Sequence, residues 1–263
     1  MATGPTLSEL TARQFLGQLE TSLAIYADAM DAEPLTLPGR RELMRRHAGY
    51  PAFRAFQARN LSDGRSAGRP ASRPADQLPD RPADQPDQPH QPPAQARTGF
   101  RDLVRPKSGK NVSVPAPALA PATDSQVVGF AYGFHGQAGQ WWYDAVWHAT
   151  SRSLGAGRAA VWLADSFEIA EVHVRKEFQR GGIGTAMLLS LTADRPERTA
   201  VLSTPDRDST ARRLYRRLGF TELLTGYSFP GGSPPYIVMG AELPLRTEAG
   251  ELTRSPEASP SIS

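Results

Sequence analysis

The chain contains no cysteine in 263 residues, which excludes a disulfide framework, a cysteine nucleophile and any zinc site built on thiolates. Lysine is nearly absent. Only Lys107, Lys110 and Lys176 occur, so the isoelectric point of about 9.4 reflects arginine with its high pKa. The net charge of +3 is too small to argue for a nucleic-acid partner. No run approaches the roughly 20 apolar residues that cross a bilayer, and Met1 to Leu10 lacks a basic start followed by an apolar stretch. A cytoplasmic protein with no membrane partner is therefore expected. The five histidines, His47, His90, His135, His148 and His173, are not at metal-ligand spacing, so no metal is expected either.

Proline is plentiful but uneven: 12 of the 24 prolines fall between Leu61 and Ser125. From Ser62 to Arg97 the sole large apolar residue is Leu78, too little to offset the entropy of ordering such a stretch. An eight-residue unit starting at Arg73 recurs, shortened by one residue, at Arg81, and reads as a low-complexity expansion. Residues 61–125 are thus expected to be a disordered insertion and 244–263 a disordered tail. Residues 1–60 and 126–243 remain to form one ordinary domain.

Thr11 is placed to cap a helix, and Phe15, Leu16, Leu19, Leu23, Ile25, Tyr26 and Met30 recur at helical spacing, predicting a helix over residues 11–30. Pro38 suits the start of a second helix, to about His47. Strands are predicted at 53–60 and 126–134, and their pairing would make the proline-rich segment an overgrown hairpin loop. Further on, the pattern predicts a strand at 167–174, a helix after Gly182, a strand at 199–203, a helix over 209–218 closed by Gly219, and strands at 222–229 and 235–239. Gln140-Trp141-Trp142-Tyr143-Asp144 with Trp147 reads as a loop or short helix. These aromatics either hold an acceptor or pack a helix onto the sheet, and Tyr227, Phe229 and Tyr236 are open to the same two readings.

Gln179-Arg180-Gly181-Gly182-Ile183-Gly184 lies between a strand and a helix. Consecutive N–H groups without side chains, backed by the positive end of a helix, suit a pyrophosphate. A Walker loop is excluded because no lysine precedes Thr185, and a dinucleotide-binding turn because the strand ends near Val174 and five residues, Arg175 to Gln179, intervene instead of glycines at the strand end.

Gln-x-x-Gly-x-Gly after a strand, followed by Ala211-Arg-Arg-Leu-Tyr215-Arg-Arg-Leu-Gly219-Phe220, resembles the GNAT superfamily of acetyl-CoA-dependent N-acetyltransferases. The resemblance covers 126–243 well and 1–60 weakly, with Pro5 to Leu10 in the place of the family's first strand. It implies an α/β (α+β) fold: a mixed, mostly antiparallel central sheet with two splayed parallel strands and helices on both faces. It also implies acetyl-CoA as cosubstrate and an amine acceptor, on a small molecule or a protein. The amides of Gln179, Arg180, Gly181, Gly182, Ile183, Gly184 and Thr185 would hold the pyrophosphate, with Arg180 adding charge. The backbone of Val172, His173 and Val174 would pair with the pantetheine arm, and Tyr215 would face the departing sulfur as general acid. Asp208 stands where the family often has asparagine at a polar CoA contact.

Acyl transfer to an amine needs a base, because an amine is mostly protonated at neutral pH. Glu168 lies 11 residues before Gln179, the spacing at which some members of that family carry their catalytic glutamate, and is the first candidate. Strict period-two alternation would put Glu168 on the face of Val172 and Val174, with Glu171 opposite. Glu171 and His173 remain alternative bases. The Val174 amide would polarise the carbonyl. A non-catalytic CoA-binding or regulatory module on the same fold is the other reading.

Overall fold

The computed structural model describes residues 5–61, 125–231 and 233–246, and the expected insertion and tail lie largely outside them. The order of elements is β1 Thr6–Leu10, α1 Ala12–Gly17, α2 Leu19–Met30, α3 Leu37–His47, β2 Arg54–Leu61, β3 Ser125–Gly136, α4 Trp141–Leu154, α5 Ala156–Leu163, β4 Ser166–Val174, α6 Ile183–Thr192, β5 Thr199–Pro205, α7 Thr210–Arg217, β6 Thr221–Tyr227 and β7 Tyr236–Glu242. The predicted first strand is present as β1.

Thr11 caps α1 in a reciprocal capping box with Gln14. The single helix expected over 11–30 is two helices. The chain leaves helical geometry at Gln18, where φ is −111°, and α2 restarts at a new angle, burying Leu19, Leu23, Ile25 and Tyr26. Between β3 and β4 the loop or short helix expected around Trp141 to Trp147 is the longer helix α4, and a second helix, α5, follows Gly155 without a sequence signal. Their apolar residues cover only one end of the sheet, so the periodicity was diluted by partly exposed tryptophans.

The seven strands run in the order β1-β2-β3-β4-β5-β7-β6. All neighbours are antiparallel except β4 and β5. β2 and β3 pair as predicted, from Arg54 opposite Gly133 to Leu61 opposite Ser125, so residues 62–124 join adjacent antiparallel strands.

One face of the sheet is covered by α6 and α7, through Ile183, Met187, Leu188, Leu191, Tyr215 and Leu218. Leu245, just past β7, belongs to this core. The opposite face carries two separate cores. The helices α1 to α3 cover β2 and β3 with Phe15, Leu19, Ile25 and Met44 against Phe130, Tyr132 and Phe134. The α4–α5 pair covers β5 to β7 with Tyr143, Val146 and Leu163 against Val201, Leu223, Leu224 and Val238. Between these two cores the sheet itself opens.

Candidate active site

The parallel ladder between β4 and β5 holds three pairs, Ser166 with Thr199, Phe167 with Ala200 and Glu168 with Val201, and then ends. β4 continues against β3 to Val174, and β5 continues against β7 to Pro205, so the two strands diverge into a V with Glu168 at its base. The Arg175 amide donates to Val128 on β3. By alternation along the strand, the Val174 and Val172 amides therefore face the open side of the V.

The pairing of β3 with β4 shifts between Tyr132 and Gly133: Tyr132 faces Glu171 while Gly133 faces Ile169. Ala170 is the extra residue of a β-bulge. This overturns the face assignment made by strict alternation. Glu168 opposes Phe134, Glu171 opposes Tyr132 and His173 opposes Phe130, so all three project to the face of α1 to α3. Val172 and Val174 pack on the α6 side instead. Gly133 is required opposite the bulge, because a Cβ there would lie 2.6 Å from the Phe167 ring and against the Glu168 carbonyl.

The two carboxylates occupy opposite electrostatic environments. Glu168 is 4% exposed, its Oε2 has no hydrogen-bond partner among the described residues, and burial pushes its carboxyl up to about 8. Glu171 accepts from Arg40 Nη1 at 2.6 Å and shares a 2.5 Å hydrogen bond with His173 Nε2. Burial opposes its ionisation, but Arg40 and His173 hold the carboxyl well below the usual range. Arg40 also donates to the Tyr26 hydroxyl at 3.0 Å and lies 4.5 Å above that ring. The Tyr26 ring meets His173 edge-on at 5.1 Å. Behind this group the Tyr132 hydroxyl, fully buried, hydrogen-bonds His47 Nδ1 at 3.1 Å. Burial pulls His47 down to about 4 and so keeps it neutral.

Tyr215, on α7, lies in the core of the other face, edge-on to Phe220 at 5.8 Å. Burial and then the Glu171 charge raise its hydroxyl to about 12, so Tyr215 is protonated at neutral pH. Ser209 caps α7 through the Arg212 amide. Asp208, exposed in the preceding loop, accepts from Arg213 Nη1 at 2.6 Å.

The glycine turn leads into α6 with no side-chain cap on its first amides. Gly182 adopts φ +81°, which an L side chain resists, and a Cβ there would point into open space. Arg180 also has positive φ, +68°. The amides of Ile183, Gly184 and Thr185 precede the first intrahelical bond, from Ala186 to Gly182, and so lie at the open N-terminus of α6. Gln179 serves by its side chain as well, Nε2 donating to the Val174 carbonyl at 2.9 Å and tying the turn to the end of β4.

On the far limb of the V, Trp142 Nε1 donates to Ser203 Oγ at 3.0 Å. The Trp141 ring lies tilted against that of Phe229 at 5.5 Å, and Phe229 meets Tyr236 edge-on at 5.4 Å. Tyr26, Arg40, Tyr132 and His47 carry no motif, and nothing in their spacing marks them among the residues of two amphipathic helices and a strand. Among the described residues no group of three or more His, Asp or Glu is arranged to hold a metal, and no helix is long and apolar enough to cross a membrane.

Residues 122–222 match the family described as acetyltransferase (GNAT) domain. The GCN5-like protein acetyltransferase Rv2170 of Mycobacterium tuberculosis is 39% identical over 134 residues, covering 49% of this chain and 65% of that protein's length. Among solved structures, Arabidopsis thaliana NAA60 with a bisubstrate analogue aligns with a TM-score of 0.47 at 12% identity, over 90% of this chain and 99% of that one. A PaiA N-acetyltransferase of Thermoplasma acidophilum in complex with coenzyme A aligns with a TM-score of 0.45 at 9% identity, over 90% and 99%. Residues 122–222, less than half of the chain, are thus similar to an acetyltransferase (GNAT) domain, and the chain spans 65% of the length of the curated relative it matches.

Proposed function

We propose that this protein transfers an acetyl group from acetyl-CoA to a primary amine by direct attack in a ternary complex, with Glu168 as general base and Tyr215 as general acid. The observation that carries the reading is Glu168 itself. It is a buried carboxyl with a pKa of about 8 and an unpartnered oxygen, set at the base of a V between two parallel strands. A base tuned close to working pH is suited to accept a proton from an ammonium or from water bound to it. A structural glutamate would be expected to carry a cation partner, as Glu171 does.

Acetyl-CoA supplies the acetyl group as an activated thioester. The uncapped amides from Gly182 to Thr185 would bind its pyrophosphate, and the backbone of Val172 to Val174 would hold its arm along the open edge of β4. The Val174 amide, aimed into the V, would polarise the carbonyl. Glu168 takes the amine proton. Tyr215 donates to the departing thiolate and is kept protonated for that purpose by its burial. Glu171, neutralised by Arg40 and paired to His173, orients rather than accepts protons in this scheme. Residues 1–60 and 126–243 would act as one domain, since Tyr26 and Arg40 from the first part complete the site of the second. A cytoplasmic location is proposed on the same footing.

Thiol release from acetyl-CoA in the presence of an amine panel tests the reading. Acetyl-CoA binding without amine-dependent thiol release would favour the non-catalytic module.

A further inference from the structure

Resting on the acetyl-transfer reading, the geometry points to an acceptor class: an alkyl monoamine that carries an aromatic or bulky apolar group, rather than a polycation. The cleft on the α1–α3 face of the V is walled by aromatics on both sides. Tyr26 stands on one side, against His173. On the other, Trp142 is anchored to Ser203 on β5, and Tyr236, Phe229 and Trp141 form a line of rings with successive centroid separations of 5.4 and 5.5 Å. Tyr236 sits opposite Pro205 at the end of the far limb. Its hydroxyl is raised by burial and also feels the charges of Arg40 and Glu171, which places it across the cleft from them. The outermost ring, Trp141, is 43% exposed, an unusual position for so large an apolar surface.

Several of the charged side chains around these elements already have partners. Glu171 is engaged by Arg40 and His173. Asp28 accepts from the Lys176 amide and Asp31 pairs with the Lys176 ammonium. Asp206 accepts from the Gly226 amide and pairs with Arg212, and Asp144 accepts from the Gly139 amide. A polyamine or aminoglycoside brings several ammonium groups that each require a carboxylate or water, and drawing them into this cleft would leave them desolvated. A single amine gains instead from ring contact with Tyr236 and Trp141, which Phe229 backs from the core.

The chemistry is shared by free arylalkylamines and by peptides whose N-terminal residue is aromatic. The full chain is assayed with acetyl-CoA against phenethylamine, propylamine, a tripeptide beginning with Phe, spermidine and kanamycin. We expect kcat/KM for phenethylamine or the Phe peptide to exceed that for propylamine at least tenfold, the faster of the two naming the source. Trp141→Ala should raise KM for the preferred aromatic acceptor about tenfold more than KM for propylamine, with Trp141→Phe restoring most of the difference. Preferred use of spermidine or kanamycin, or an equal effect of Trp141→Ala on all amines, overturns the acceptor assignment and leaves acetyl transfer standing. Acetyl-CoA binding with no amine acetylated overturns acetyl transfer itself.

Discussion

Glu168 and Glu171 lie on the same face of one strand although they are an odd number of positions apart, because the bulge at Ala170 inserts one residue between them. Their carboxyls are driven in opposite directions, Glu168 up by burial and Glu171 down by Arg40 and His173. Carboxyls pushed apart in this way can take different parts in one reaction.

Glu168→Gln is expected to lower kcat by about 10²- to 10⁴-fold, the usual contribution of a general base, with acetyl-CoA affinity close to that of the parent. Steady-state rates and calorimetric binding check it. In the unmodified protein, kcat/KM should rise with pH and level off near pH 8, the value to which burial brings Glu168. Turnover undiminished in Glu168→Gln would remove the base assignment.

The same carboxyl makes stability depend on pH. Its folded pKa is raised, so the folded state retains a proton that the unfolded chain gives up, and stability is greatest below the unfolded value. It should fall between about pH 4.5 and about pH 8 and change little above that on this account. The slope within the window approaches about 1.4 kcal/mol per pH unit. Glu168→Gln should remove this dependence, so its Tm advantage over the parent should grow from pH 5 to pH 8 in thermal scans. A constant difference across that range contradicts a buried, unpaired Glu168.

Arg40→Met leaves Glu171 buried without its cation and should destabilise the fold by about 3 kcal/mol. Adding Glu171→Gln to Arg40→Met should recover part of that loss, because a neutral amide is less costly to bury than a carboxylate. Urea unfolding of the two single variants and the double variant measures the coupling, and strictly additive losses would argue that the pair contributes nothing.

Two glycine substitutions separate binding from folding. Gly182→Ala forces an alanine to φ +81°, at a cost of about 1 kcal/mol, and puts a methyl group where the pyrophosphate is proposed to sit. Acetyl-CoA affinity should drop at least tenfold with a modest change in Tm. Gly133→Ala instead drives a methyl group into the Phe167 ring and the backbone of Glu168. It should destabilise the whole sheet, visible as a large fall in Tm even without ligand.

Deleting residues 62–97 should leave Tm and acetyl-CoA binding unchanged, since β2 and β3 already pair from Leu61 opposite Ser125 inward. Loss of folded protein on that deletion would argue that the segment belongs to a second folding unit.

Much of this architecture can be read from the linear chain. The capping pattern of Thr11 and Gln14, the period-two runs of β3 and β4, the uncapped glycine turn and Tyr215 on a helix closed by Gly219 are local signals, and they sufficed to place these elements in order. The α1–α2 break, the α4–α5 pair and the partners of Glu171 did not show, because each depends on contacts between residues far apart in the chain. Arg40 reaches Glu171 across 131 positions, and no spacing rule links them. The side of the sheet that Glu168 faces relative to Glu171 turned on one unpaired residue, Ala170. A bulge is a property of two strands in register, and composition along one of them carries no trace of it. The order of the elements is therefore written in local chemistry, whereas the pairing of charges that separates the two glutamates arises only when β3, β4 and α3 come together.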